Sequence, residues 1–254
     1  MIQRMVNRGA LAPIGAGVYS ILNVGQTSLS YKDRYALIHA RLSKLGQYYI
    51  TGDYVLEKTY HVTGYHAPNI TAVVDFENSL AERNGIDVND TPVVTSRSNR
   101  PEVFSEEFGV ERRRCSHTSK RVFYYQADLT RCLVDCLWQP SLAGSPEPSF
   151  ISWGEAANHM EFDPEAACRY ALMLGPAVAR RTGVMLDMLD LGDIARENIP
   201  RPAVRNDRVV EMIKGRTFNL RDDDPDETDE YWQVHFKLPK NLISGWVSSG
   251  QHHW

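Results

Sequence analysis

Residues 139–150, QPSLAGSPEPSF, hold three prolines and a glycine. Each proline removes a backbone donor, fixes φ and pushes the residue before it out of the helical region. Regular structure is not expected to run through such a stretch, so it divides the chain. Before it, short apolar runs alternate as strands do. After it, apolar residues recur at helical spacing. The pattern predicts an α+β protein, with mixed strands in the N-terminal half and a mostly helical C-terminal half. The expected organisation is a mixed region over 1–138 that begins with an arm, a linker over 139–150, and a mainly helical region over 151–254. A chain of 254 residues also fits one large domain.

Local signals place the elements. Residues 1–29 are rich in glycine and read as an irregular arm. A helix is predicted over 31–45, with Tyr31, Tyr35, Ile38, Leu42 and Leu45 on one face and Gly46 as its stop. Thr51-Gly52-Asp53 reads as a turn. Tyr54, Leu56, Tyr60 and Val62 share one parity and predict a strand. Further strands are expected over 71–76, 92–95 and 122–125, with a short helix over 77–84. Asp128 caps an amphipathic helix whose inward face is Leu129, Cys132, Leu133, Cys136 and Leu137. Beyond the linker, Ser152 with Glu155 reads as a capping box, Asp163-Pro164 as a helix start and Gly175-Pro176 as a break between helices. Val184 to Leu191 suggests a fully buried helix. A helix over 206–214, a strand over 231–238 and a terminal loop rich in Trp and His complete the chain.

Composition narrows the function classes. Hydrophobic residues make up 43% and charged residues 24%, which excludes wholesale disorder. A net charge of -4 is not that of an average nucleic-acid binder, but the charges lie in blocks. Cys115, Cys132, Cys136 and Cys168 form neither a CxxC pair nor a zinc spacing, and read as buried free thiols in a reducing compartment. Arg4 and Arg8 precede an apolar-leaning stretch, but Pro13, Gly15, Gly17 and Asn23 interrupt it, and no signal peptide or membrane partner is expected.

Five constellations could carry chemistry. Gly15-Ala16-Gly17 approaches a dinucleotide fingerprint, yet Pro13 spoils the preceding strand and Ser20 stands where the third glycine belongs. His61, His66, Glu155 and His159 are the residues available to a metal-dependent hydrolase or nuclease, without a recognised ligand spacing. Cys115, Ser116 and His117 are neighbours in sequence and so do not face one another as a catalytic pair would. With them belong the paired carboxylates Asp187 and Asp190, which read as a solvated helix edge. The fourth constellation is basic: Arg112, Arg113, Arg114, Lys120 and Arg121, followed by Phe123, Tyr124 and Tyr125. Interleaved cations and rings can grip phosphates and stack bases, so these five basic residues are the candidate nucleic-acid contacts. Finally, the basic run Arg196, Arg201, Arg205, Arg208, Lys214, Arg216 and Arg221 meets the acidic block at 222–230, and such opposed patches can join neighbouring copies. No catalytic residue, metal site or cofactor is assigned.

Residues 115–138 (CSHTSKRVFYYQADLTRCLVDCLW) and 234–239 (VHFKLP) resemble parts of the capsid proteins of totivirus-like double-stranded RNA viruses. The likeness covers under a fifth of the chain. It implies a self-assembling shell of many copies enclosing RNA, located in the virion or the host cytoplasm. The chain departs from that family in being far shorter. Where some members carry a cap-attacking histidine, Gln233 stands here, so no catalytic residue is carried over. The expectation is a non-enzymatic coat protein with RNA-facing basic patches, with self and RNA as partners. A metal-dependent hydrolase or nuclease and a monomeric nucleic-acid-binding module are the alternatives.

Overall fold

A computed structural model describes residues 1–15, 18–22, 34–44, 46–62, 66–75, 86–88, 91–115, 122–201, 209–213 and 227–251. The described part of the N-terminal stretch is regular rather than an irregular arm. Helix α1 (Ile2–Asn7) leads into a hairpin of β1 (Leu11–Gly15) and β2 (Val18–Ile21). Gly9, at φ 68, ends the helix where an L-residue would be strained, so this glycine marks a turn rather than disorder. Gly15 closes a hairpin strand, which is not the strand-to-helix turn that a dinucleotide fingerprint requires. Helix α2 (Arg34–Leu42) follows, with Ile38 and Leu42 buried as its spacing predicts and Leu37 buried beside them.

The centre of the molecule is a six-stranded mixed sheet. It comprises β3 (Tyr48–Ile50), β4 (Ile70–Val74), β5 (Ile86–Val88), β6 (Thr91–Arg97), β7 (Val110–Arg114) and β8 (Phe123–Ala127) in the order β5-β6-β4-β3-β8-β7. β3 and β4 are buried at every position, as central strands with unbroken apolar character should be. Tyr48 and Tyr49 are consecutive and so point to opposite faces. The Tyr48 hydroxyl meets His39 Nδ1 of α2 at 2.9 Å. The Tyr49 hydroxyl accepts from Arg131 of α4 (Leu129–Trp138) at 2.8 Å, so the sheet lies between the two helices.

Residues 53–60 are helical, not a strand: a single turn, α3 (Asp53–Val55), widens into a π turn over Leu56–Tyr60. The predicted turn at Gly52 is present at φ 70, and a Cβ there would collide with the Leu142 carbonyl. Tyr54, Val55 and Leu56 are all buried, and a short run buried on every side carries no period that separates helix from strand.

Asp128 caps α4 as expected, accepting from the Arg131 N–H at 2.6 Å. The predicted inward face of the helix is buried, and so is the polar face: Leu129 through Leu137 are all buried. Its polar pair turns inward. Arg131 Nε donates to Asp135 Oδ1 at 2.8 Å, and Nη1 donates to the Phe108 carbonyl at 2.8 Å. Thr51 Oγ1 donates to Asp135 Oδ2 at 2.8 Å.

The proline-rich segment is packed rather than exposed. It forms a 3-10 turn over Pro140–Ala143 and the start of α5 (Pro146–Ala156), and Leu142, Ala143 and Phe150 are buried. α5 therefore begins six residues before the expected capping box, and Ser152 instead donates back to the Pro148 carbonyl at 2.8 Å. α6 (Pro164–Leu174) and α7 (Pro176–Met188) start where Asp163-Pro164 and Gly175-Pro176 predict. α8 (Gly192–Asn198) follows. All four cysteines are buried free thiols, as their spacing implied.

The C-terminal end differs most from expectation. Val210–Glu211 is a strand, β9, rather than part of a helix. It joins β10 (Glu227–Asp229) and β11 (Val234–Phe236) in the order β10-β11-β9. The tail is a helix, α9 (Lys240–Gln251), not a loop. Its buried residues Ile243, Val247 and Gly250 keep helical spacing, and Gly154 and Gly250 let the backbones of α5 and α9 touch. Any Cβ on Gly154 would lie inside the contact distance of the Val247 carbonyl. The predicted helix over 77–84 falls on residues outside the described set.

Gly154→Ala is expected to cost about 1–3 kcal/mol through overpacking, read as a lower thermal midpoint with earlier proteolysis of the α9 end. Asp135→Ala, which strands the buried Arg131 guanidinium, is expected to cost about 3–5 kcal/mol by denaturant unfolding.

Candidate nucleic-acid interface

β7 is an edge strand: among the described residues no strand pairs with it beyond β8. Its register pairs Arg112 with Tyr125, Arg113 with Tyr124 and Arg114 with Phe123. Directly opposed residues of an antiparallel pair share a face, and neighbours along a strand do not. The basic triplet is thereby divided.

Arg112 and Arg114 project on one face beside Phe123 and Tyr125. Both arginines are exposed, and Tyr125 is 37% exposed. The Arg112 guanidinium lies 3.8 Å from the centre of the Phe123 ring, a cation–π contact that holds the cation over the sheet instead of in free solution. The arrangement is a short platform of two cations and two rings, and no carboxylate pairs with either arginine among the described residues.

Arg113 is turned to the other face, where it is already engaged. It pairs with Glu111 at 2.7 Å and donates to the Tyr60 hydroxyl at 2.9 Å. Burial, offset by Tyr60 and Glu111, leaves its guanidinium above its ordinary pKa. Tyr124 is buried on that face and stacks on Tyr35 of α2 at 4.4 Å. Of the five predicted contacts, the structure thus brings Arg112 and Arg114 together with their aromatics and sets Arg113 apart. Lys120 and Arg121 lie outside the described residues.

The residues considered for metal chemistry are each occupied differently. His61 ends the π turn in the left-handed region at φ 57. His66 Nδ1 sits 3.1 Å from Glu57 Oε1. His159 Nδ1 accepts from the Glu161 N–H at 3.1 Å, and its ring meets Tyr60 edge-on. Glu155 is buried in α5, and burial pushes its carboxyl up to about 7. No group of three or more His, Cys, Asp or Glu able to hold a metal ion occurs among the described residues.

Asp187 is a clamp, not a solvated edge. Its two oxygens accept from Trp232 Nε1 at 2.5 Å and Arg196 Nη2 at 2.6 Å, tying α7 to the small sheet and to α8. Asp190 sits apart in a left-handed turn at φ 61. Of the basic run, Arg196 and Arg201 both lie against the Tyr231 ring. Arg205, Arg208, Lys214, Arg216 and Arg221 fall outside the described residues, as do residues 222–226 of the acidic block. From that block, Asp229 holds Lys240 at 3.1 Å. Sequence reasoning missed Tyr60, which fixes Arg113. Its assignment to a strand hid the helical geometry that brings its hydroxyl to β7.

The chain is an α+β protein built on a mixed six-stranded sheet. No protein-family model matches it, and no curated protein sequence matches it. Among solved structures, it is similar to the crystal structure of the RV2827C protein from Mycobacterium tuberculosis. The TM-score is 0.61 at 12% identity, over 98% of this chain and 82% of that one. At that identity the likeness concerns the fold alone. No helix among the described residues is long and apolar enough to cross a membrane.

The Glu155 carboxyl carries a pH signature. Its folded pKa lies above the unfolded value, so the folded state binds the extra proton. Stability is then full below about 4.5 and falls as pH rises through about 7. Glu155→Gln is expected to raise the melting temperature at pH 8 by about 5 °C and to leave it nearly unchanged at pH 5, measured by calorimetry at both values.

Proposed function

We propose that this chain binds single-stranded nucleic acid through the β7–β8 edge. The observation that carries the reading is the Arg112, Arg114, Phe123 and Tyr125 platform, in which two exposed cations flank two rings on one face. Guanidinium groups pair with phosphates, and aromatic faces accept any base, so the contact is tolerant of sequence. The net charge of -4 makes the attraction local to this edge.

The coat-protein reading supplies a second possibility, a shell with this face toward RNA. What favours it is the exposed apolar surface of Ile2, Met5 and Ile21 on α1 and the hairpin, suited to a neighbouring copy. The segments that resemble the capsid family support it less. They fall largely on β8, α4 and β11, which are mostly buried. Sedimentation analysis separates the two: a large closed particle supports the coat protein, and a monomer or dimer leaves the binding module.

Fluorescence anisotropy with a single-stranded RNA across a salt series tests the interface. The affinity is expected to fall with salt. The Arg112→Glu, Arg114→Glu double variant should weaken binding at least about tenfold and flatten the logarithmic salt slope by about 1.4. Arg113→Ala, altered on the opposite face, should bind within about twofold of the parent. Equal binding by the double variant would remove the proposal.

A further inference from the structure

A second concave surface shares no residue with the β7 edge. Two adjoining lobes, of about 390 and 440 Å³, meet at Arg100, Trp138 and Leu174. One lobe is completed by Asp75, Arg97, Ser98 and Asn99 from the end of β4 and the end of β6. The other is completed by the start of α7, by Arg181 and by Val210 and Glu211 of β9. Each lobe is of the size that holds a small organic ligand.

The charges in this groove are unbalanced. Arg181 is only 4% exposed. It donates from Nε to the Glu211 carbonyl at 2.7 Å and from Nη1 to the Leu137 carbonyl at 3.0 Å. These carbonyls take up two of its five N–H groups and do not neutralise its charge. The Glu211 carboxylate acts on it from nearby but is itself paired with Lys237 at 2.8 Å. Burial accordingly pulls the Arg181 guanidinium down to about 10. A buried cation without a dedicated counter-charge costs several kcal/mol, which an anion arriving in the groove would offset.

The surroundings define that anion further. Arg100 Nη1 donates to the Met173 and Leu174 carbonyls at 3.1 and 3.4 Å, which fixes a second cation at the junction of the lobes. The start of α7 brings the positive end of a 13-residue helix dipole, while Arg100 covers the opposed carbonyl end of α6 beside it. Trp138, half-buried at the end of α4, borders both lobes, and Leu174, Pro176, Val178 and Val210 supply apolar contact. Asp75 stands at the far end, away from the Arg181 lobe. An anion beside a flat aromatic group suits this groove better than a bare ion does.

We propose that the groove between β6, α4 and the start of α7 binds a 5′-phosphorylated nucleoside, its phosphate against Arg100 and Arg181 and its base over Trp138. The nucleotide is either free or the phosphorylated end of a strand, since the chemistry at the groove is the same.

Titration calorimetry on the full chain with AMP, adenosine, inorganic phosphate and a 5′-phosphorylated trinucleotide tests this. AMP should bind saturably below about 1 mM, and adenosine and phosphate should each bind at least about tenfold more weakly. Equal or tighter binding of the trinucleotide assigns the ligand to a strand end, and weaker binding assigns it to a free nucleotide. Arg100→Glu should weaken AMP at least about tenfold, measured at a temperature where circular dichroism shows the variant folded, because it also loses the donations to the Met173 and Leu174 carbonyls. Trp138→Leu should weaken AMP while leaving the phosphate affinity unchanged, a split that loss of fold would not produce. Absence of saturable AMP binding, or an Arg100→Glu variant that binds as the parent does, would overturn the proposal. The Arg112→Glu, Arg114→Glu variant should bind AMP normally, so the two interfaces fail or stand separately.

Discussion

Arg131 and Asp135 lie one helical turn apart on α4, with neither side chain exposed to solvent. Two opposite charges in an apolar interior are tolerated only when geometry and hydrogen bonding offset their desolvation. Here Tyr49 from β3, Thr51 just beyond it and the Phe108 carbonyl before β7 complete the set. The network therefore spans the central sheet, its principal helix and the loop that leads to the edge strand. Burial, aided by the Asp135 carboxylate and against the pull of Arg131, holds Tyr49 well above the usual phenol range, so it remains a neutral acceptor for Arg131. Asp128 extends the network. It caps α4 and accepts from the Tyr170 hydroxyl of α6 at 2.9 Å, and burial pushes its carboxyl up to about 6.

The β7 platform depends on this arrangement. Phe108 and Gly109 are anchored by Arg131 and by the Asp128 N–H, which bonds the Gly109 carbonyl at 2.8 Å. Gly109 turns at φ 79, in contact range of Asp128, Arg131 and Tyr170 for any added Cβ. The chain thus enters β7 at one place and in one register. That register sends Arg112 and Arg114 to one face and Arg113 to the other. The nucleotide groove draws on the opposite end of α4, where Trp138 marks its last turn.

Much of the helical half was legible because its signals are local. Asp163 accepts from the N–H groups of Glu165 and Ala166, both at 2.9 Å, so the cap is complete within three residues. Gly175-Pro176 breaks the chain by its own backbone chemistry. Segments whose identity rests on distant partners were misread. Gly154 and Gly250 let α5 and α9 touch, a contact that no local signal announces. Arg131 and Asp135 lie outside the predicted inward face of α4, and Tyr49 and Thr51 from the sheet are what bury them. Asp187 looks solvated until Trp232 and Arg196 close on it.

For the candidate interface, residue type was readable and direction was not. The sequence by itself determined the α+β class, the start of α4 at Asp128, the burial of the cysteines and the concentration of cations and rings between Arg112 and Tyr125. Those properties follow from composition, from hydrogen bonds that close within a turn, and from the period of apolar residues. Only the tertiary structure decided which cations act together. On a strand, a shift of one residue exchanges the two faces, and the register of β7 is set by β8 and by the Arg131 network rather than by the triplet itself. Tyr60, from a helical turn elsewhere in the chain, then occupies Arg113 and leaves Arg112 and Arg114 beside half-buried Phe123 and exposed Tyr125.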